Sequence, residues 1–241
     1  MIGGTVGVPR TKADILAHPV TCYLFGAGKG DPRVNFNEWT NVGETEVNIS
    51  GNARIYGSTF GGGEDGHVLG DAETNIGGTV TIGGTVHDYP TVNAQKPGVI
   101  IGTQGLSGAD GNVFGGGRGF SEDALTAGVV CGNVTVNIKN GKMLGTVYGG
   151  GRLASVGTHL ADAGTALYGK LIPEGYNQVI GSTDVAATGA SHGIIQINID
   201  GGTIGATDAQ TGKLLSSDYS IGDVFGGCKG SGNNKHFGLA K

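Results

Sequence analysis

Of 241 residues 51 are Gly, about three times the ordinary share, while Lys and Arg number 15 and Asp and Glu 20. That composition excludes an average enzyme-like globule. The net charge of -5, without any block of like charges, gives no basis for electrostatic capture of nucleic acid or of an anionic membrane. Apolar runs such as Val99-Ile100-Ile101 are too short to cross a bilayer, and no charged segment followed by an apolar stretch marks a secretion signal.

An internal repeat organises the rest of the chain. A first unit near residues 2–30 opens with Met1-Ile2-Gly3-Gly4-Thr5-Val6-Gly7 and closes with Cys22-Tyr23-Leu24-Phe25-Gly26-Ala27-Gly28-Lys29. The second, near 45–66, starts with Thr45-Glu46-Val47-Asn48-Ile49 and ends in Gly57-Ser58-Thr59-Phe60-Gly61-Gly62-Gly63-Glu64. The third, near 73–119, runs from Glu73-Thr74-Asn75-Ile76 through Gly77-Gly78-Thr79-Val80 to Asn112-Val113-Phe114-Gly115-Gly116-Gly117-Arg118. The fourth, near 133–152, holds Val134-Thr135-Val136-Asn137-Ile138, Gly141-Lys142-Met143-Leu144-Gly145 and Thr146-Val147-Tyr148-Gly149-Gly150-Gly151-Arg152. The fifth, near 194–230, holds Ile195-Gln196-Ile197-Asn198-Ile199, Gly201-Gly202-Thr203-Ile204-Gly205 and Asp223-Val224-Phe225-Gly226-Gly227-Cys228-Lys229.

In each leading strand the apolar residues alternate with polar ones, which puts Val and Ile on one face and Asn on the other. Asn48 and Asn75 stand 27 residues apart, about one turn of a parallel β-solenoid. The expected fold is therefore all-β: residues 1–241 form a single parallel β-solenoid of about five imperfect units, with equivalent side chains stacked in ladders. Gly is expected at the bends, for positive φ or for close approach of backbones. Large inserts are expected near 85–108 and 153–193, with smaller ones at 8–20 and 206–221. Short helices are expected at Lys12–His18 and Glu122–Ala127, and the start and end read as cuts through a longer array.

Candidate chemistry is sparse. Gly61-x-Gly63-x-x-Gly66 fits a dinucleotide pattern, but the repeat itself generates it and no helix follows to face a phosphate. Phe25-Gly26-Ala27-Gly28-Lys29-Gly30 lacks the Ser or Thr of a P-loop. The position after the Asn-Ile strand holds Ser50, Gly77, Lys139 and Asp200, which is no stacked carboxylate cluster of the kind that cleaves glycans. The six His residues recur at no unit position and read as surface residues. Asp-Gly pairs read as turns, no metal or cofactor is expected, and Cys22, Cys131 and Cys228 match no metal spacing. The sequons at Asn48 and Asn133 read as by-products of the strand pattern.

One pattern does stand out. Four places after the aromatic come Lys29, Glu64, Arg118, Arg152 and Lys229, a basic stripe in an acidic chain. Lys29, Arg118, Arg152 and Lys229 are thus the candidate ligand-binding residues. They are expected to be solvated, paired with acids such as Asp31, Glu122 or Asp123, or aimed at an acidic glycan.

The Val-Asn-Ile, Gly-Gly-Thr-Ile-Gly and Val-Phe-Gly-Gly-Gly-Arg segments resemble those of very large glycine-rich repetitive surface proteins of Bacteroidales and relatives. The resemblance implies export, display on the cell surface and an adhesive or scaffolding role, without catalytic residues. Expected partners are further copies of the chain through open solenoid ends, and acidic glycans or a host surface. The alternative from another class is a polysaccharide lyase or hydrolase with Asp162, Glu174, Asp184, His159 and His192 gathered in the inserts.

Overall fold

In the computed structural model the described residues are 1–9, 17, 21–30, 40–78, 81–82, 85–86, 99–102, 111–119, 127–160, 171–173, 193–205 and 222–230. Three parallel sheets carry the repeat. The first holds Thr45–Ile49, Ala72–Ile76, Val134–Ile138 and Ile195–Ile199, paired in chain order and in register, so that Asn48, Asn75, Asn137 and Asn198 lie side by side. The second joins Thr5–Val6, Arg54–Ile55, Ile100–Ile101, Lys142–Met143 and Thr203–Ile204. The third joins Leu24–Phe25, Thr59–Phe60, Val113–Phe114, Val147–Tyr148 and Val224–Phe225. Each sheet takes one strand from each unit, always in the same order, except that among the described residues the first unit gives none to the first sheet.

The alternation in the leading strands decides which face is buried. Thr45, Val47 and Ile49 are buried while Glu46 and Asn48 are exposed, and the third- and fourth-unit strands repeat the pattern. The inward residues join those of the other sheets in one core built from Ile49, Ile55, Val68, Ile76, Ile101, Val113, Val130, Val136, Ile138, Met143 and Val147. A second cluster, Phe60, Phe114 and Tyr148, lies along the third sheet.

The Gly triplets owe their identity to close approach, not to positive φ. None of Gly61 to Gly63, Gly115 to Gly117 or Gly149 to Gly151 has positive φ. A Cβ on Gly61 would overlap the Gly115 carbonyl, and one on Gly115 would overlap the Gly149 carbonyl together with the methyls of Val134 and Val136. At this first triplet position a lone bend could tolerate Ala, but a bend stacked on an identical bend cannot.

Three expectations need correction. In the third unit the second-sheet strand is Ile100–Ile101, not the segment beginning at Thr79, because the hairpin of Thr81–Ile82 with Thr85–Val86 is inserted ahead of it. The 85–108 insert therefore contains a core strand. The long insert likewise starts later than 153: Leu153 to Val156 form a tight corner, and Val156 bridges Val130. Thr158–Leu160 and Leu171–Pro173 then pair as an antiparallel hairpin. The short corners of the second and fourth units turn on Asp65 and Leu153, at φ of 58° and 52°. Apart from Ala17 and Ala127, the two expected helices lie outside the described residues, as does the whole of 206–221.

Candidate functional site

The five stripe residues do form one line. Lys29, Glu64, Arg118, Arg152 and Lys229 are joined rung to rung by parallel bridges just beyond the Gly triplets. Their environments differ sharply along that line. Glu64 and Arg118 are both buried, and the Arg118 guanidinium donates to Glu64 Oε1 at 2.8 Å. On the other side of Glu64 sits the Lys29 ammonium at 3.4 Å, with its side chain 73% exposed. Glu64 and Arg118 neutralise one another, so the buried pair is structural: a desolvated charge is tolerable only with its partner in place.

The upper rungs set cation beside cation. Arg152 and Lys229 are half-buried, and among the described residues no carboxylate lies within 4.0 Å of Arg152. Burial and then the neighbouring Arg118 push the Arg152 guanidinium below its ordinary value, and burial and then Arg152 do the same to Lys229. The Lys229 ammonium rests 5.3 Å from the centre of the Tyr148 ring, a cation–π contact. Burial, reinforced by Asp223, raises the Tyr148 phenol, with Arg152 pulling the other way. Arg152 is half out of water with a cation on the rung to either side, which is the electrostatic setting that favours an anion. Asp31, Glu122 and Asp123, the expected insert partners, lie outside the described residues.

Beside the charged line runs an aromatic one. Phe25, Phe60, Phe114, Tyr148 and Phe225 stack with centroid separations between 4.7 and 5.2 Å and interplanar angles of 6° to 17°. On the first sheet's outer face the Asn side chains make a third ladder. Asn75 donates to Asn48 at 3.0 Å, Asn137 to Asn75 at 2.8 Å and Asn198 to Asn137 at 2.7 Å. It ends at Asn48 on Glu46 and at Asn198 on Gln196. An open groove of about 740 Å³ follows this ladder, lined also by Ile2, Glu73, Lys139 and Asn140. Its floor presents amide donors and acceptors to whatever lies in it.

His67 is the residue that sequence reasoning misplaced. Far from the surface, it is fully buried in the second unit's short corner, where Nδ1 accepts the Val129 N–H at 3.3 Å. Burial lowers its pKa to about 4, so it is neutral at pH 7. The signal in the sequence was its place: His67 falls where the fourth unit's short corner has Ser155, which is also buried. The three cysteines are free thiols, and burial pushes Cys228 up to about 11 against hydrogen bonds from Gly151 and Val156. Among the described residues no group of His, Cys, Asp or Glu is placed to hold a metal, and no helix is long and apolar enough to cross a membrane. Asp162, Glu174, Asp184 and His192 lie outside the described residues, as does the side chain of His159. No family model matches the chain, and neither does any curated protein or solved structure.

Proposed function

We propose that the three parallel sheets are the three faces of one β-solenoid, and that the chain is a non-enzymatic structural and adhesive segment of an extracellular or cell-surface repeat protein. The observation that carries this reading is the superposition of like on like from unit to unit: Asn on Asn in the second to fifth units, aromatic on aromatic and stripe position on stripe position in all five. Such stacking gives a stiff core that grows by adding units, while inserts at fixed points carry variation. Stiffness and extendability are what a surface stalk needs. The repeat segments' resemblance to Bacteroidales surface proteins supports the same location.

Adhesion is assigned to the upper stripe. Arg152 and Lys229 sit adjacent and half-buried, and an acidic glycan laid along the stack would bring negative charge to Arg152, which has no carboxylate within 4.0 Å among the described residues. The paired Lys29, Glu64 and Arg118 rungs serve the fold instead.

Two measurements test this. Removing one whole unit, residues 45–71, so that Glu44 precedes Ala72, leaves every remaining strand with an equivalent neighbour. Arg118→Glu in the same chain restores an acid beside Lys29. A shortened chain that still melts cooperatively with a β-type circular dichroism spectrum is expected, and collapse to an unfolded chain would refute the solenoid. For adhesion, binding of polygalacturonate at low salt is expected to fall at least about tenfold in Arg152→Glu with Lys229→Glu, and to weaken with added salt in the parent. Binding indifferent to both changes would remove the glycan from the proposal.

A further inference from the structure

Among the described residues the fifth unit presents an edge built like every internal junction. At each junction the first Gly of a triplet donates to the aromatic carbonyl of the next unit: Gly61 to Phe114, Gly115 to Tyr148, Gly149 to Phe225. The second Gly donates to its own counterpart: Gly62 to Gly116, Gly116 to Gly150, Gly150 to Gly227. In the fifth unit these positions are Gly226 and Gly227, whose N–H groups point away from the fourth unit and meet no such partner among the described residues.

Side chains tell the same story. Val224 and Phe225 are 44% and 43% exposed, whereas Val147 is fully buried and Tyr148 is 6% exposed. A Cβ at Gly226 or Gly227 would meet nothing within 4 Å, in contrast to every earlier triplet. At the opposite end of the third sheet, Phe25 and Ala27 occupy the accepting positions, and Leu24 and Phe25 are half-buried. The two edges thus carry matching halves of one junction.

We infer that the fifth-unit edge receives the first-unit edge of a second copy of this chain, head to tail, with Gly226 and Gly227 donating to the Phe25 and Ala27 carbonyls of that copy and Phe225 stacking on its Phe25. This deepens the solenoid reading and depends on it. Such a contact is heterologous and does not close on itself, so it builds linear chains rather than a dimer. Two features keep it weak. Among the described residues the first unit gives no strand to the first sheet, so in this 241-residue chain the joint continues two of the three sheets. The charged line would also set Lys229 beside the second copy's Lys29, two ammonium groups at one strand spacing of about 4.8 Å. Salt, which screens that repulsion, strengthens the joint.

The test follows the 241-residue chain by sedimentation velocity and negative-stain electron microscopy over a range of concentration and salt. The parent chain is expected to form short linear oligomers that lengthen with concentration and with salt. Lys229→Glu, which offers an acid to the incoming Lys29, is expected to tighten association roughly tenfold at low salt. Gly226→Val has room in the single chain but would strike the Gly26 carbonyl of the second copy, as a Cβ on Gly149 already approaches Gly226 O to 3.0 Å. It is expected to stay monomeric with an unchanged melting temperature. Assembly of Gly226→Val equal to the parent, oligomers that stop at two, or monomers throughout for both parent and Lys229→Glu would each overturn the joint. If the unit-deleted chain folds while these monomers persist, the solenoid stands without the joint; if it collapses, both fall.

Discussion

Asn112-Val113-Phe114-Gly115-Gly116 in the third unit and Asp223-Val224-Phe225-Gly226-Gly227 in the fifth differ at a single residue, yet the two stretches live in different worlds. Val113 and Phe114 are sealed between two neighbours, whereas Val224 and Phe225 are covered on one side only. Burial here belongs to the neighbours and not to the motif. Where strands pair in unit order, as in these three sheets, stability accumulates junction by junction. The same substitution should therefore cost very different amounts at the two places.

The largest contrast is expected at the aromatic rung. Phe114→Ala empties a site packed between Phe60 and Tyr148 and should cost about 4 kcal/mol, while Phe225→Ala, already half in water, should cost about 1 kcal/mol. Urea unfolding of the two variants measures both, and equal losses would mean that the end unit is covered in solution. Next comes the first Gly of the triplet. Gly115→Ala forces a methyl into the Gly149 carbonyl and two Val side chains and should cost about 3 kcal/mol, whereas Gly226→Ala meets open space and should lie within about 0.5 kcal/mol of the parent.

A comparison of the two short corners predicts a pH effect of similar size. His67 takes up its proton near pH 4 in the folded chain and near 6.5 when unfolded, so between these values the unfolded state binds more protons. Stability is then full above about pH 6.5 and declines as pH falls toward 4, by about 3 kcal/mol if the whole shift is expressed. His67→Ser, which installs the fourth unit's residue, should flatten that part of the stability–pH curve. A decline that survives the substitution would assign it to another group.

The sequence made the units legible because apolar and polar residues alternate in strands that recur, and alternation states which face is buried. The stripe was legible for a similar reason: a fixed offset from the aromatic becomes a fixed place once units stack. What it could not reveal was partnership. Glu64 reads as the one exception in a basic row, but buried between Lys29 and Arg118 it is the acid that ion-pairs with both of them. His67 reads as a stray surface His because its environment comes from Val129, 62 residues away. Ile100–Ile101 went unrecognised as a core strand because an inserted hairpin separates it from its own unit's leading strand, and pairing in the second sheet depends on arrival at the right place, not on spacing.

The smallest contrast concerns the Asn ladder, where position again outweighs identity. Asn137 donates to both Asn75 and Glu73 and accepts from Asn198, so it ties three units together. Asn198 has a ladder neighbour on one side only and turns to Gln196 of its own strand on the acceptor side. These amides are partly wet, so each bond contributes little more than its net worth against water, about 0.5–1 kcal/mol. Asn137→Ala should then destabilise by about 1–2 kcal/mol, and Asn198→Ala by about half as much or less. Thermal melts of the two variants, with the Asn137→Ala, Asn198→Ala double to complete the cycle, separate the shared bond from the rest. Full additivity would mean that the amides hydrogen-bond to water and not to one another, and the ladder would lose its energetic meaning while the core beneath it kept its own.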